Sequence, residues 1–139
     1  MPTIGKLVLG LTMAIHMVLA LWAAGGLLEW VAGDIAWLQL NNPEIPRPIL
    51  LAQWVLSLGT ALIFVVGVIL RLPGTPLAVV IGYTLMAAVC ALETTRYLTS
   101  DTRYLAMALE YVTYVAIGMC LYRLPEFTHR FTQQARGTA

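Results

Sequence analysis

The residues able to do chemistry in this 139-residue chain are few, and most of them interrupt long apolar runs: His16, Glu29, Glu93, Arg96 and Glu110. An ionisable group at the centre of a bilayer costs about 2.5 to 3.5 kcal/mol even on lenient insertion scales, so each requires a partner, a wet cavity or a place near the interface. Glu93 and Arg96 are three residues apart, which puts them on adjacent parts of one helical face and predicts a local ion pair. Glu110 follows a short hydrophilic connection, so Arg96 is expected to reach it as well and complete a three-member network. Two stripes extend from that network at helical spacing: Tyr83, Met86, Cys90, Glu93 and Tyr97 on one segment, and Met107, Glu110, Tyr114 and Ile117 on the next.

Such a network has two main uses. It can pin two helices in register and do nothing else, since buried ionic groups set registry without adding much stability. It can also form a polar pocket in the outer half of an apolar bundle, with Tyr114 and His16 lining it, able to hold a headgroup, a quinone or another amphipathic molecule. An ion or proton path is a third use. Two neighbouring carboxyls can share one proton, but Arg96 nearby points to ionised, paired acids.

Other chemistries find no residues to carry them. His16 is the one histidine of the apolar runs and His129 lies in the C-terminal segment, so a bis-histidine haem is not expected and a zinc site lacks ligands. His16 is expected to be satisfied by a neighbouring hydroxyl or carbonyl. The chain contains no GxSxG elbow, phosphate-cradling glycine loop or HExxH helix. Cys90 and Cys120 fall inside apolar runs and read as small packing residues. No cofactor is expected apart from a quinone or lipid ligand. A formal charge of +1 gives no field that would attract nucleic acid.

The elements that must position these residues follow from composition. With 60% hydrophobic and 11% charged residues and a mean hydropathy of +0.81, the chain departs from soluble domains, in which about 25% of residues are charged. Four stretches are long and apolar enough to cross a membrane: Ile4 to Leu28, Ile49 to Leu70, Leu77 to Leu98 and Tyr104 to Tyr122. The segment from Gly33 to Pro48 carries Pro43, Pro46 and Pro48 and is the longest loop, and RLPGTP and TSDTR are compact turns that set successive helices antiparallel. The expected fold is all-α, an integral membrane four-helix antiparallel bundle over residues 1–122, with 123–139 as a tail. Lys6 before an apolar run resembles a secretory signal, but the run is too long and Trp22 stands where a small residue is wanted, so the first helix is expected to be retained.

Both termini then share a face with Lys6, Arg71, Arg123, Arg130 and Arg136, against Arg47, Arg96 and Arg103 opposite; five against three places the termini in the cytoplasm, of a bacterial inner membrane. Trp30, Trp37, Trp54, Tyr97 and Tyr104 gather at the outer ends, and DIAWLQL (34–40) is expected to form an outer shelf. Leu124, Phe127 and Phe131 are spaced to begin an interfacial helix before the QQARGTA end. Small residues at Gly25, Gly26, Ser57, Ala61, Ala87, Ala91, Ala116 and Gly118 seat neighbouring helices, and the apolar girth of the second helix is the expected docking face.

The sequence LETTRYLTS, a short hydrophilic turn and then ALEYVTY resemble the small DoxX-like four-helix membrane proteins over Arg96 to Glu110. That resemblance implies a compact bundle of the kind found as accessory components of membrane redox or lipid-linked systems, and it transfers no catalytic role. The leading functional expectation is a non-enzymatic accessory or scaffold subunit of a larger membrane assembly, whose partners are lipid and other integral membrane subunits or further copies of itself. The alternative is a membrane-embedded binder, carrier or enzyme for a quinone or isoprenoid, using Glu93, Arg96, Glu110, Tyr114, His16 and Glu29. A transporter ranks behind both because the sequence shows no internal repeat or proline-broken span.

Overall fold

A computed structural model describes residues 2–33, 35 and 38–132. Among these residues the chain is all-helical: α1 (Pro2–Ala32), α2 (Arg47–Leu70), α3 (Thr75–Arg96), α4 (Arg103–Arg123) and a short α5 (Pro125–Thr132). The first four are long and apolar enough to cross a membrane; even the 21 residues of α4 rise about 30 Å, the thickness of a bilayer's hydrocarbon core. Trp37 and the QQARGTA end lie outside the described residues.

Proline and local hydrogen bonding set the helix ends. Pro48 sits in the first turn of α2 and Pro76 in that of α3, where a missing N–H removes no intrahelical bond. Helix α2 stops at Arg71, which adopts a left-handed conformation (φ 57°), while the Leu72 amide reaches back 2.9 Å to the Gly67 carbonyl and closes the last turn. At the end of α3, the Leu98 amide bonds the Glu93 carbonyl at 2.9 Å, and Arg103 Nη1 donates to the Leu98 carbonyl at 3.0 Å.

Two clusters form the core. One joins Leu9 and Met13 of α1, Phe64 and Val68 of α2, Val79, Tyr83 and Met86 of α3, Ile117 and Leu121 of α4, and Phe127 and Phe131 of α5. The other joins Ala23 of α1, Ile45, and Leu50 and Trp54 of α2, with Tyr97 and Leu98 against it. Close approach is made by small residues: a Cβ on Gly26 would enter the Trp54 ring, one on Gly67 would strike Thr75, and one on Gly82 would strike the Thr60 hydroxyl.

Two expectations need correction. Helix α2 is more enclosed than its apolar girth implies: it buries Trp54, Ser57, Thr60, Ala61, Phe64 and Val68 and packs on α1, α3 and α5. Its exposed apolar residues are Val55, Leu62, Ile63, Val66, Ile69 and Leu70. The least covered long helix is α4, which buries only Ile117 and Leu121 among its described residues. Phe127 and Phe131 do lie on a helix, which starts just after the extended Leu124, but both are buried in the core instead of lying on an interface, with the Phe127 ring 6.4 Å from Phe64.

Candidate functional site

Helices α3 and α4 meet along only part of their length, and a groove of about 660 Å³ opens between them. Its α3 wall is Val80, Tyr83, Thr84 and Ala87, one stripe at steps of three, one and three. Its α4 wall runs Tyr111, Tyr114, Gly118 and Tyr122 at steps of three and four, with Val115 and Met119 beside them and Arg123 at the end. Gly118 makes the floor: a Cβ there would find Val80 Cγ2 at 3.8 Å as its nearest neighbour. The volume falls in the 300 to 1,000 Å³ span, roughly, of small-molecule sites, and the lining is mostly apolar with a few hydroxyls.

A series of polar side chains, buried at His16 and Tyr83 and half-buried at Tyr114, Glu110 and Cys90, runs beside the groove. His16 is fully buried, its ring stacked 3.7 Å from Phe64. Its Nδ1 lies 2.7 Å from the Thr12 carbonyl, and a carbonyl only accepts, so Nδ1 carries the proton. In the neutral ring Nε2 is then an acceptor, and the Tyr83 hydroxyl donates to it at 2.6 Å. The Tyr83 ring stacks on Tyr114 at 4.5 Å and 13° between planes. Tyr114 donates to Glu110 Oε1, and the Cys90 thiol donates to Glu110 Oε2 at 3.1 Å. Cys90 stands 4.0 Å from the Thr94 hydroxyl one turn along α3. The Tyr111 hydroxyl ties α4 to α3 through the Ala87 carbonyl at 2.7 Å.

The structure thus brings His16, Tyr114 and Glu110 into one series and places Glu93 one helical turn from Cys90. Glu93 is buried, and its Oε1 meets no hydrogen-bond partner among the described residues. Arg96 does not join them. It is the last residue of α3, is exposed, and makes no ion pair or hydrogen bond with Glu93 or Glu110 among the described residues. A long basic side chain at a helix end reaches outward toward water at little cost, so the three-residue spacing to Glu93 does not bring the pair together.

Glu29 belongs elsewhere too. Its Oε2 accepts the Leu40 amide at 2.6 Å and the Asn41 amide at 2.9 Å, anchoring the connection between α1 and α2. That connection is further held by Trp54 Nε1 on Asn41 Oδ1 at 2.7 Å and by Trp30 and Arg47, each donating to the other's carbonyl at 3.0 and 2.8 Å. Glu44 bonds Thr99, so the two connections share an end of the bundle.

The groove lies apart from the site expected around Glu93, Arg96 and Glu110. The groove follows the first half of α3 and the last half of α4, toward α5, and Tyr114 alone of the six anticipated residues lines it. Sequence reasoning missed Tyr111, Tyr122, Thr84 and Arg123 as wall residues and Cys90 as a polar link. The stripe of Tyr111, Tyr114, Gly118 and Tyr122 was available as a signal; the Cys90 contact depends on helix register, which no local pattern specifies. Both cysteines are free and half-buried. Among the described residues no group of three or more His, Cys, Asp or Glu side chains could hold a metal.

No family model matches this chain, and no curated protein or solved structure matches it either.

Proposed function

We propose that this chain is a four-span integral membrane protein, its helices antiparallel and both termini cytoplasmic, that holds a lipid-like amphiphile in the groove between α3 and α4. The observation that carries this reading is the groove itself: a tyrosine-walled, mostly apolar trough with the Arg123 guanidinium at its mouth, exposed and without an ion pair among the described residues. The hydroxyls of Tyr83, Tyr111 and Tyr114 are engaged with His16, Ala87 and Glu110, so their rings supply flat apolar surface to the ligand's body. Tyr122 and Arg123 are left to meet a polar or anionic head. Five basic residues on the side of the termini against three opposite put that mouth at the cytoplasmic interface, so the ligand enters from the inner leaflet, not the outer. The ligand class is a quinone or an isoprenoid phosphate, and the role is binding or carriage.

The test is native mass spectrometry of the protein in lipid nanodiscs, with decylubiquinone and farnesyl phosphate as probes. Gly118→Leu fills the floor of the groove and should abolish retention of both. Arg123→Gln removes a charge-assisted contact of about 1.5 to 3 kcal/mol and should weaken farnesyl phosphate at least about tenfold more than the uncharged quinone. Retention by Gly118→Leu equal to wild type refutes the groove as the site.

One observation favours a second reading, an accessory subunit docked through α4: Leu105, Leu109, Val112, Val115 and Met119 leave that helix apolar and exposed. Stoichiometric partner subunits in the same spectra, lost on Val112→Trp, would support it.

A further inference from the structure

The two acids of α3 and α4 differ in what surrounds them. Glu110 accepts from Tyr114 on one oxygen and from the Cys90 thiol on the other, two donors that serve a carboxylate. Glu93 is 95% shielded, with only 5% of its surface exposed, and its Oε1 meets no donor among the described residues. An ionised carboxylate so placed would lack the hydrogen bonds or counter-ion that make a buried charge tolerable, whereas a neutral carboxyl group avoids that cost. The charged and titratable groups around it offer no remedy. On α3 the titratable groups one turn away are the Cys90 thiol and the Tyr97 phenol, and Arg96 is exposed; on α4 the nearest acid is Glu110, whose Oε2 is hydrogen-bonded to Cys90, one turn from Glu93. Arg103, at the start of α4, donates through Nη1 to the Leu98 carbonyl and lies over the Tyr104 ring; its Nε is buried without a partner, yet it makes no ion pair with Glu93 among the described residues. On α1 the titratable groups are spent elsewhere: His16 on Tyr83 and Thr12, and Glu29 on the Leu40 and Asn41 amides.

We propose that Glu93 and Glu110 form a proton-binding site inside the bundle, in which the pair holds one exchangeable proton, carried on Glu93, while Glu110 is the carboxylate. Release converts Glu93–COOH to Glu93–COO⁻ and returns H⁺ to water, taking the pair from one negative charge to two in a low-dielectric setting. The missing Arg96 contact is what makes this possible, because a guanidinium between the acids would keep both ionised. The site does not depend on what occupies the groove.

The test is infrared difference spectroscopy of the whole protein in nanodiscs, in H₂O and D₂O at neutral pH, which reads the C=O stretch of a protonated carboxyl group directly. Wild type should give a deuterium-sensitive band that Glu93→Gln abolishes and Glu110→Gln leaves present at a changed frequency. Both substitutions are isosteric, and far-UV circular dichroism confirms that each variant is folded. Absence of the band from wild type, which requires no variant, would overturn the proposal. So would its survival in Glu93→Gln, or its loss in Glu110→Gln alone, which would put the proton on the other acid. Exchanging choline for sodium at fixed pH should leave the band unchanged; its loss would make this a metal-cation site and refute proton binding.

Discussion

Removing the hydroxyl of Tyr83 isolates one interaction between α1 and α3. Tyr83→Phe leaves the ring stacked on Tyr114 but strips the donor from His16 Nε2, in a residue with no exposed surface. A buried acceptor left unsatisfied costs about 1 to 3 kcal/mol in water-soluble proteins, and interhelical hydrogen bonds in membranes average about 0.6 and reach about 1.7 kcal/mol. The 2.6 Å contact is short and fully enclosed, so the expected loss is about 1 to 1.5 kcal/mol, a fall of about fivefold to twelvefold in the ratio of folded to unfolded protein. His16→Phe should cost a similar amount, since the stack on Phe64 survives while the Tyr83 hydroxyl loses its acceptor. The double variant removes both polar groups together and should be about 1 kcal/mol more stable than the two single losses predict. Reversible unfolding in mixed micelles with increasing dodecyl sulfate, followed by circular dichroism, measures all four corners of the cycle. A coupling below about 0.3 kcal/mol would show that this bond contributes nothing to holding α1 on α3, and the reasoning would fall.

Two further predictions use the same preparation. Gly82→Ala drives a methyl group against the Thr60 side chain and should destabilise by about 1 to 3 kcal/mol, whereas Gly118→Ala meets only ordinary contact with Val80 and should change stability by less than about 0.5 kcal/mol; equal effects in the unfolding assay would contradict the helix register. Glu29→Ala frees the Leu40 and Asn41 amides and should speed their hydrogen exchange about tenfold, with Glu29→Gln milder because it keeps an acceptor oxygen; unchanged exchange would mean that the carboxylate does not anchor this connection.

The long helices were legible because apolarity over about 20 residues is a local property, and the prolines and turn residues that bound them are local too. Helix α1 runs through Glu29 to Ala32 because the carboxylate turns sideways onto loop amides, a contact across 11 residues that no hydropathy window contains. Register between helices was not legible. Arg96, Glu93 and Glu110 have suitable charges and spacing for a network, yet the position of Arg96 at the last residue of α3 lets it leave for water. The partner of His16 is 67 residues away, and the pairing of Cys90 with Glu110 rests on how α4 is rotated against α3. The close approaches of Gly82 to Thr60 and of Gly67 to Thr75 likewise rest on how the helices are rotated against one another.

Helix α5 has a consequence for how the molecule is made. Phe127 and Phe131 share a core cluster with Val8, Leu9 and Met13 of α1, so these α1 side chains wait for residues that emerge only after α4. At the other end, Ala23, Leu50 and Trp54 are in place as soon as α2 follows α1. The Trp54 end therefore has its partners available before the Phe127 end has, and a nascent chain halted before Phe127 lacks the side chains that seal one end of its bundle.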